Sequence, residues 1–371
     1  MASDRLITLA IHTYDHAVAL KNLLECEGVE AVLQNVNLEQ PVVSSGIRVR
    51  IHESDLPQAL RIIENTDIFL NPENSKILEY NRIVLVPVDF SPHSLAACAI
   101  AFRFASRLKA NIVILNSYLD PYFSGNIQLS DSAEYDIADS EMRQVLEKEA
   151  TKRMEKLKDD IKSRIKTGEL PAVKFTTEIA EGLPEEVIAE FAKEKKPELI
   201  VMGTRGADKK EKELIGSVTA EVLDSCRFPV FTIPESVNLE NPAEIRHAVF
   251  FNNLDQEDIL AIDALARLFC DERMEITVAN IPGKKTPDTD SKPMKAFMAY
   301  CQEHYPSFSY SVAAMSLATV TDDFEKIQKR RHIDLIVVPN KKKNIFARFF
   351  NPSLAHRLLF HSDIPMMVIP V

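Results

Sequence analysis

No apolar run in the 371 residues approaches the roughly 20 that a membrane span needs. The opening stretch MASDRLITLAIHTYDH also lacks the uninterrupted apolar segment of a secretory signal. The expectation is a cytoplasmic chain with no membrane partner. Cysteine is sparse: Cys26, Cys98, Cys226, Cys270 and Cys301 are odd in number, far apart and free of any C-x-x-C pair. That pattern suggests neither a disulfide framework nor a zinc knuckle, and no metal site is expected. Positive charge is in deficit, with 44 Lys and Arg against 55 Asp and Glu, a formal net charge of −11. Most of the surface therefore repels nucleic acid, which is not expected as a partner.

What is present is the balance of an ordinary globular protein, 46% hydrophobic and 27% charged. The length calls for several domains. Residues 1–70 read as strand, helix, strand, strand, helix. Thr13 is placed to cap a helix ending near Gly28, with Ala17, Leu20 and Leu24 as its apolar stripe. Strict alternation in Ile47-Arg48-Val49-Arg50-Ile51-His52 buries Ile47, Val49 and Ile51 and turns the basic side chains outward. Leu56, Ala59, Leu60 and Ile63 recur at helical spacing, and 71–75 reads as a linker.

From Arg82 the pattern changes to apolar strands alternating with amphipathic helices, the signature of a parallel sheet with crossover helices on both faces. Strands are expected at 83–88, 111–117, 173–179, 198–203 and 229–234. Ser91-Pro92 opens the first helix as cap and first helical residue. The long segment 118–140, rich in Asp, Ser and Tyr, reads as a flap of undefined role. Residues 198–234 align without a gap onto 334–370 at an offset of 136, and HAVFFNNLD matches IVLVPVDFS. Two copies of one α/β domain follow, at 80–236 and 244–371.

The chemistry concentrates after the strand at 198–203. There Gly203-Thr204-Arg205-Gly206 is followed nine residues later by Gly216-Ser217-Val218-Thr219, opening a helix. Glycines let the backbone approach a polyanion, and the unpaired amides of a helix start point outward at it. Ser217 and Thr219 offer hydroxyls, and Arg205 a cation. An ordinary strand-to-helix connection remains the bland alternative. For Asp89 the alternative is a capping or turn role. His12 and His16, the basic run Lys341-Lys342-Lys343 with Arg348, and Ser44-Ser45-Gly46 read as surface or turn features. Cys98 and Cys226 read as core packing.

The spacing G-x2-G-x9-G-[S/T] at Gly203, Gly206, Gly216 and Ser217 resembles that of the universal stress protein family, and the resemblance extends over 82–235. It implies a doubly wound parallel sheet that binds an adenine nucleotide, ATP with Mg as the metal that would accompany it. In such proteins an acidic residue beside the adenosine follows the first strand, here Pro87-Val88-Asp89. The implied lining continues through Ser117, Met202, Gly203, Arg205, Gly206, Gly216, Ser217, Val218 and Thr219. The usual His-Val pair after the second strand is Asn116-Ser117 here. In the second copy Gly203, Gly206 and Gly216 become Pro339, Lys342 and Pro352, and Asp89 becomes Asn253. Proline offers no N–H, so that copy is expected to have lost its phosphate cradle. Residues 1–70 resemble a short bacterial signal-transducing domain of ferredoxin-like, α+β arrangement.

These features imply a nucleotide-responsive, cytoplasmic stress regulator with one site per chain. The N-terminal domain is a candidate surface for a protein partner. The family's pairing through last strands implies an internal pseudo-dimer, with a homodimer also open. Two other classes stay open. One is a slow ATPase or self-phosphorylating enzyme with Ser217 as acceptor, although no P-loop lysine follows the glycines and no catalytic set is apparent. The other is a nucleotide-independent interaction module.

Overall fold

The computed structural model describes residues 5–12, 14–26, 28–35, 47–64, 82–119, 133–204, 216–225, 227–234, 237, 239, 241–252, 254, 257–269, 273–280, 291–315, 320–340 and 364–370. Thr13, the linker 71–75, Ser44-Ser45-Gly46, Arg205, Gly206, Cys226, Cys270, Asn253, Lys341 to Lys343, Arg348 and Pro352 lie outside them, as do the side chains of Cys26, His12 and His16.

The N-terminal module contains β1 (Leu6–His12), α1 (Tyr14–Cys26), β2 (Ala31–Asn35), β3 (Ile47–His52) and α2 (Leu56–Glu64), the order read from the sequence. Its sheet runs β1-β3-β2 with β3 antiparallel to both neighbours. Placing a third strand between two that a helix connects is the split βαβ arrangement of ferredoxin-like folds. Ala17, Leu20, Leu24, Ile47, Val49, Ile51 and Ala59 close its core. Helix α1 ends as Gly28 takes φ 84, which lets the Val29 N–H return to Leu24 O at 2.8 Å.

The rest of the chain builds one ten-stranded sheet. Its first half comprises β4 (Ile83–Pro87), α3 (Pro92–Leu108), β5 (Asn111–Tyr118), α4 (Ala133–Lys166), β6 (Phe175–Glu181), α5 (Pro184–Lys195), β7 (Leu199–Gly203), α6 (Ser217–Ser225) and β8 (Val230–Ile233). The second half comprises β9 (His247–Asn252), α7 (Glu257–Phe269), β10 (Glu275–Asn280), α8 (Lys292–His304), β11 (Ser309–Ala314), α9 (Val320–Arg330), β12 (Leu335–Asn340) and β13 (Met366–Pro370). Part of the segment read as a flap is thus helix, since α4 begins at Ala133.

The strand order, β11-β10-β9-β12-β13-β8-β7-β4-β5-β6, is a mirror of itself about its middle. Registers repeat as well: Ile83 pairs with Asn111 as His247 does with Glu275, and Val84 with Leu199 as Ala248 does with Leu335. Pairing is parallel within each half and antiparallel only where β8 meets β13. There Val230, Phe231 and Thr232 face Val368, Met367 and Met366. In the repeat numbering Phe231 and Met367 are the same position, so a local twofold axis passes through that pair. Side chains alternate between two cores along every strand. One core gathers α3, α4, α7 and α8, and the other α5, α6 and α9. Phe104 of α3 lies edge-on to Phe231 at 5.0 Å and to Phe269 of α7 at 5.8 Å, which joins the halves through one aromatic cluster. Glu198 and Arg267 add a cross-seam ion pair at 2.8 Å.

Because the halves meet antiparallel, the carboxyl ends of the second half's strands share an end of the sheet with the amino ends of the first half's. The N-terminal module sits at that end. Leu260 of α7 packs into its core, and its Glu25 meets Lys196 at 3.6 Å. Among the described residues no helix is long and apolar enough to cross a membrane.

Candidate functional site

In the first half the chain runs from β4 to β5 and β6 on one side, then crosses back to β7 on the other. The carboxyl ends of β4 and β7 therefore flank a topological switch point, where open α/β sheets bind their ligands. Pro87 ends the first of these strands, with Val88 and Asp89 directly after it, and Met202 and Gly203 end the second.

Asp89 is exposed and holds the turn into α3. Its Oδ1 accepts the Ser91 N–H at 3.0 Å and the Ser91 hydroxyl at 2.5 Å, while its own N–H donates to Ser94 Oγ at 3.3 Å. Ser91 caps α3 in turn, accepting the Ser94 N–H at 3.3 Å. These bonds force Phe90 into the left-handed region at φ 62, an uncommon conformation for a bulky residue that costs about 1–3 kcal/mol. Leu254, the matching residue of the second half, does the same at φ 61. The strained turn thus belongs to the domain's architecture, since the half without the glycines keeps it.

Gly203 is favoured by close packing. A Cβ there would stand 3.1 Å from His93 Cβ and 3.2 Å from the His93 carbonyl carbon, because α3 begins directly against β7. The next residue, Thr204, accepts the Gly216 N–H at 2.7 Å and gives its own N–H to Ile233 O at 3.0 Å. Both ends of the intervening loop are thereby pinned together at the switch point. Thr219 is buried, and its hydroxyl donates to Gly203 O at 3.0 Å. That proton locks strand to helix, which differs from the ligand-donor role read for Thr219 from the sequence.

Helix α6 starts with Gly216, whose carbonyl accepts the Ala220 N–H at 3.0 Å. Its next three amides, on Ser217, Val218 and Thr219, are those that an α-helix leaves without an intrahelical acceptor. Four other helix starts are occupied: Ser91 and Ser291 cap α3 and α8, and Glu185 with Glu186 and Asp322 with Asp323 fill the first turns of α5 and α9. At the start of α6 the cap position is Gly216, which has no side chain of its own, and the first turn carries no acidic residue. Ser217 is exposed there, Val218 is half-buried, and Met202 is buried in the α6-side core.

The second strand contributes what the sequence did not announce. Asn116 is buried and donates from Nδ2 to Val88 O at 2.7 Å, fixing the end of β4 from the side, with half-buried Ser117 next to it. Asn280 matches Asn116 in the repeat and bonds Asn252 O at 3.4 Å in the same manner. Comparing the two copies strand by strand would have exposed this pair. Helix α4 brings the Arg153 guanidinium over the Phe90 ring at 6.0 Å and joins Arg143 to Glu181 at 3.4 Å. Burial, then Glu147 and Glu181, raise the Tyr118 phenol above its ordinary value at the rim.

The universal stress protein family profile matches residues 81–234. A universal stress protein of Methanocaldococcus jannaschii is 31% identical over 175 residues, which make up 47% of this chain and 92% of that protein. The chain belongs to the universal stress protein family. A second universal stress protein of the same organism is 29% identical over 160 residues, covering 40% of this chain and 93% of its own length. The crystal structure of a universal stress protein from Archaeoglobus fulgidus superposes with a TM-score of 0.50 at 17% identity, over 78% of this chain and 99% of that one. That likeness in fold reaches beyond the residues of the family match. Among the described residues no group of three or more His, Cys, Asp or Glu is arranged to hold a metal ion.

Proposed function

We propose that this universal stress protein is a cytoplasmic, ATP-responsive regulator with one nucleotide site per chain, at the β4–β7 switch point. The observation that carries the reading is the start of α6, where glycine holds the cap position and no acidic residue stands in the first turn. It is pinned beside the end of β7 by the Thr204–Gly216 bond and faces the same switch point as Asp89. Oriented amides suit phosphates, and an exposed carboxylate suits ribose hydroxyls. The helix dipole adds only about 0.3–1 kcal/mol, so several hydrogen bonds and burial of the base must supply the rest. A magnesium ion would be held chiefly by the phosphates themselves, since Asp89 is given to the ribose. The second half, with Pro339 at the Gly203 position, acts as the structural partner of the first.

Thermal melts with ATP, with GTP and without ligand test the proposal. ATP at a thousand times its dissociation constant should stabilise the domain by about 4 kcal/mol. An unmoved transition would sink it. Turnover measured on the same sample separates a regulator from a slow ATPase.

A further inference from the structure

At the second half's own switch point, between β9 and β12, three polar side chains are almost wholly enclosed. Asn252 is 1% exposed, Asn280 2% and Asp258 1%. Asn280 Nδ2 donates to Asn252 O at 3.4 Å and to Asn252 Oδ1 at 3.3 Å. The backbone carbonyl fixes which end of the Asn280 amide faces it, and that NH2 in turn fixes the oxygen of Asn252 toward itself. Asn252 Nδ2 is left pointing elsewhere, with no hydrogen-bond partner among the described residues. Burying a donor without an acceptor is costly, and the first half avoids it by placing Val88 at the same position.

Asp258 stands in the first turn of α7 where the first half has Ser94, the residue whose Oγ receives the Asp89 N–H. The carboxylate that Asn253 removes from the strand end is therefore restored five residues later, on the helix. The phosphate side is not restored, because Pro339 replaces Gly203 and provides no N–H. A buried carboxylate also opposes an anionic ligand.

We propose that the β9–β12 switch point binds an unphosphorylated nucleoside. Asn252 Nδ2 donates to a ring nitrogen or carbonyl, and Asp258 accepts from a hydroxyl. The choice of a nucleoside rests on the nucleotide reading of the first half. The site discriminates against phosphorylated forms, so the two halves take related ligands of different charge.

The full chain is titrated calorimetrically with adenosine in the presence of saturating ATP, so that adenosine reads the second half alone. The same titration is run on Asn252→Val, which copies Val88, and ATP alone is titrated into both proteins. The expected result is one equivalent of adenosine in the parent, weakened about tenfold or more in Asn252→Val, with ATP binding equal in both. Without ligand, Asn252→Val should melt at a higher temperature, since an unmatched donor has been removed. No adenosine heat in the parent, equal adenosine affinity in the variant, or a lower melting temperature for the ligand-free variant would each overturn the proposal. Absent ATP heat would instead count against the first-half reading, and adenosine titrated alone would still decide the second.

Discussion

The two halves of the sheet share strand order, register, the strained turn at Phe90 and Leu254, and the asparagine that ties the second strand to the first. They differ where ligand would touch. The first half exposes Asp89 and keeps glycine at 203 and 216. The second buries Asn252 and Asp258 and carries Pro339. Architecture that both halves retain serves the domain, and what only one retains is the better guide to its ligand. By this criterion the Phe90 conformation is structural, although it lies at the site.

The comparison can be broken most severely at the seam. Phe104→Ala removes a fully buried ring that touches Phe231 and Phe269, and should cost about 3–5 kcal/mol. In urea unfolding both halves should lose that stability in one transition. Two transitions, of which only one moves, would show that the halves are independent units. Next in size is Gly216→Val. It should abolish the roughly 4 kcal/mol that saturating ATP contributes and reduce ATP stoichiometry from one equivalent to none. Residual ATP binding in calorimetry would mean that the second half binds the nucleotide by another geometry.

A smaller effect sharpens the likeness. Asn116→Leu leaves Val88 O without its buried donor and should cost about 1–3 kcal/mol. Asn280→Leu removes two longer bonds, to Asn252 O at 3.4 Å and Asn252 Oδ1 at 3.3 Å, and should cost less than loss of the single 2.7 Å bond of Asn116. Equal costs in parallel denaturant melts would deny that the bond lengths matter. The smallest expected effect distinguishes the halves by pH. His247 opens β9, its ring nitrogens meeting Thr277 Oγ1 at 2.7 Å and His332 O at 2.9 Å, and burial lowers its pKa. The unfolded chain then binds the proton more readily, so stability is full above about pH 6.5 and falls as pH drops below it, by about 1.4 kcal/mol per unit of depression. His247→Gln should flatten that slope in melts between pH 7.5 and 5.5, conditions set about one unit either side of the ordinary histidine value.

Periodicity exposed the order of the elements, because alternating and helical patterns follow directly from which faces are buried. The five strands of the first half lie within about two residues of the sequence reading, the usual uncertainty of element ends. The constant offset of 136 anticipated β7 to β8 recurring as β12 to β13. Reasons for individual residues were less legible. Gly203 reads as room for a phosphate, and the structure adds a second reason for glycine there, the close approach of His93 on the side where a Cβ would stand. Thr219 reads as a donor, yet its proton is given to Gly203 O. Both facts depend on a tertiary approach between segments far apart in sequence. Asp258 escaped notice because the carboxylate moved along the chain, and only the paired registers show that it stands in Ser94's place.

The antiparallel seam also decides what is near what. The two switch points open at opposite ends of one sheet, and the N-terminal module lies at the end away from the α6 loop, against Leu260 and Lys196. Lys196 caps the end of α5 three residues before β7, whose five buried residues run about 17 Å to Gly203. A strand packed on both faces is a poor spring, since protein interiors are dense and resist compression. The module and the start of α6 are therefore mounted at the two ends of one stiff rod, so a displacement of either along the rod's axis would load the other.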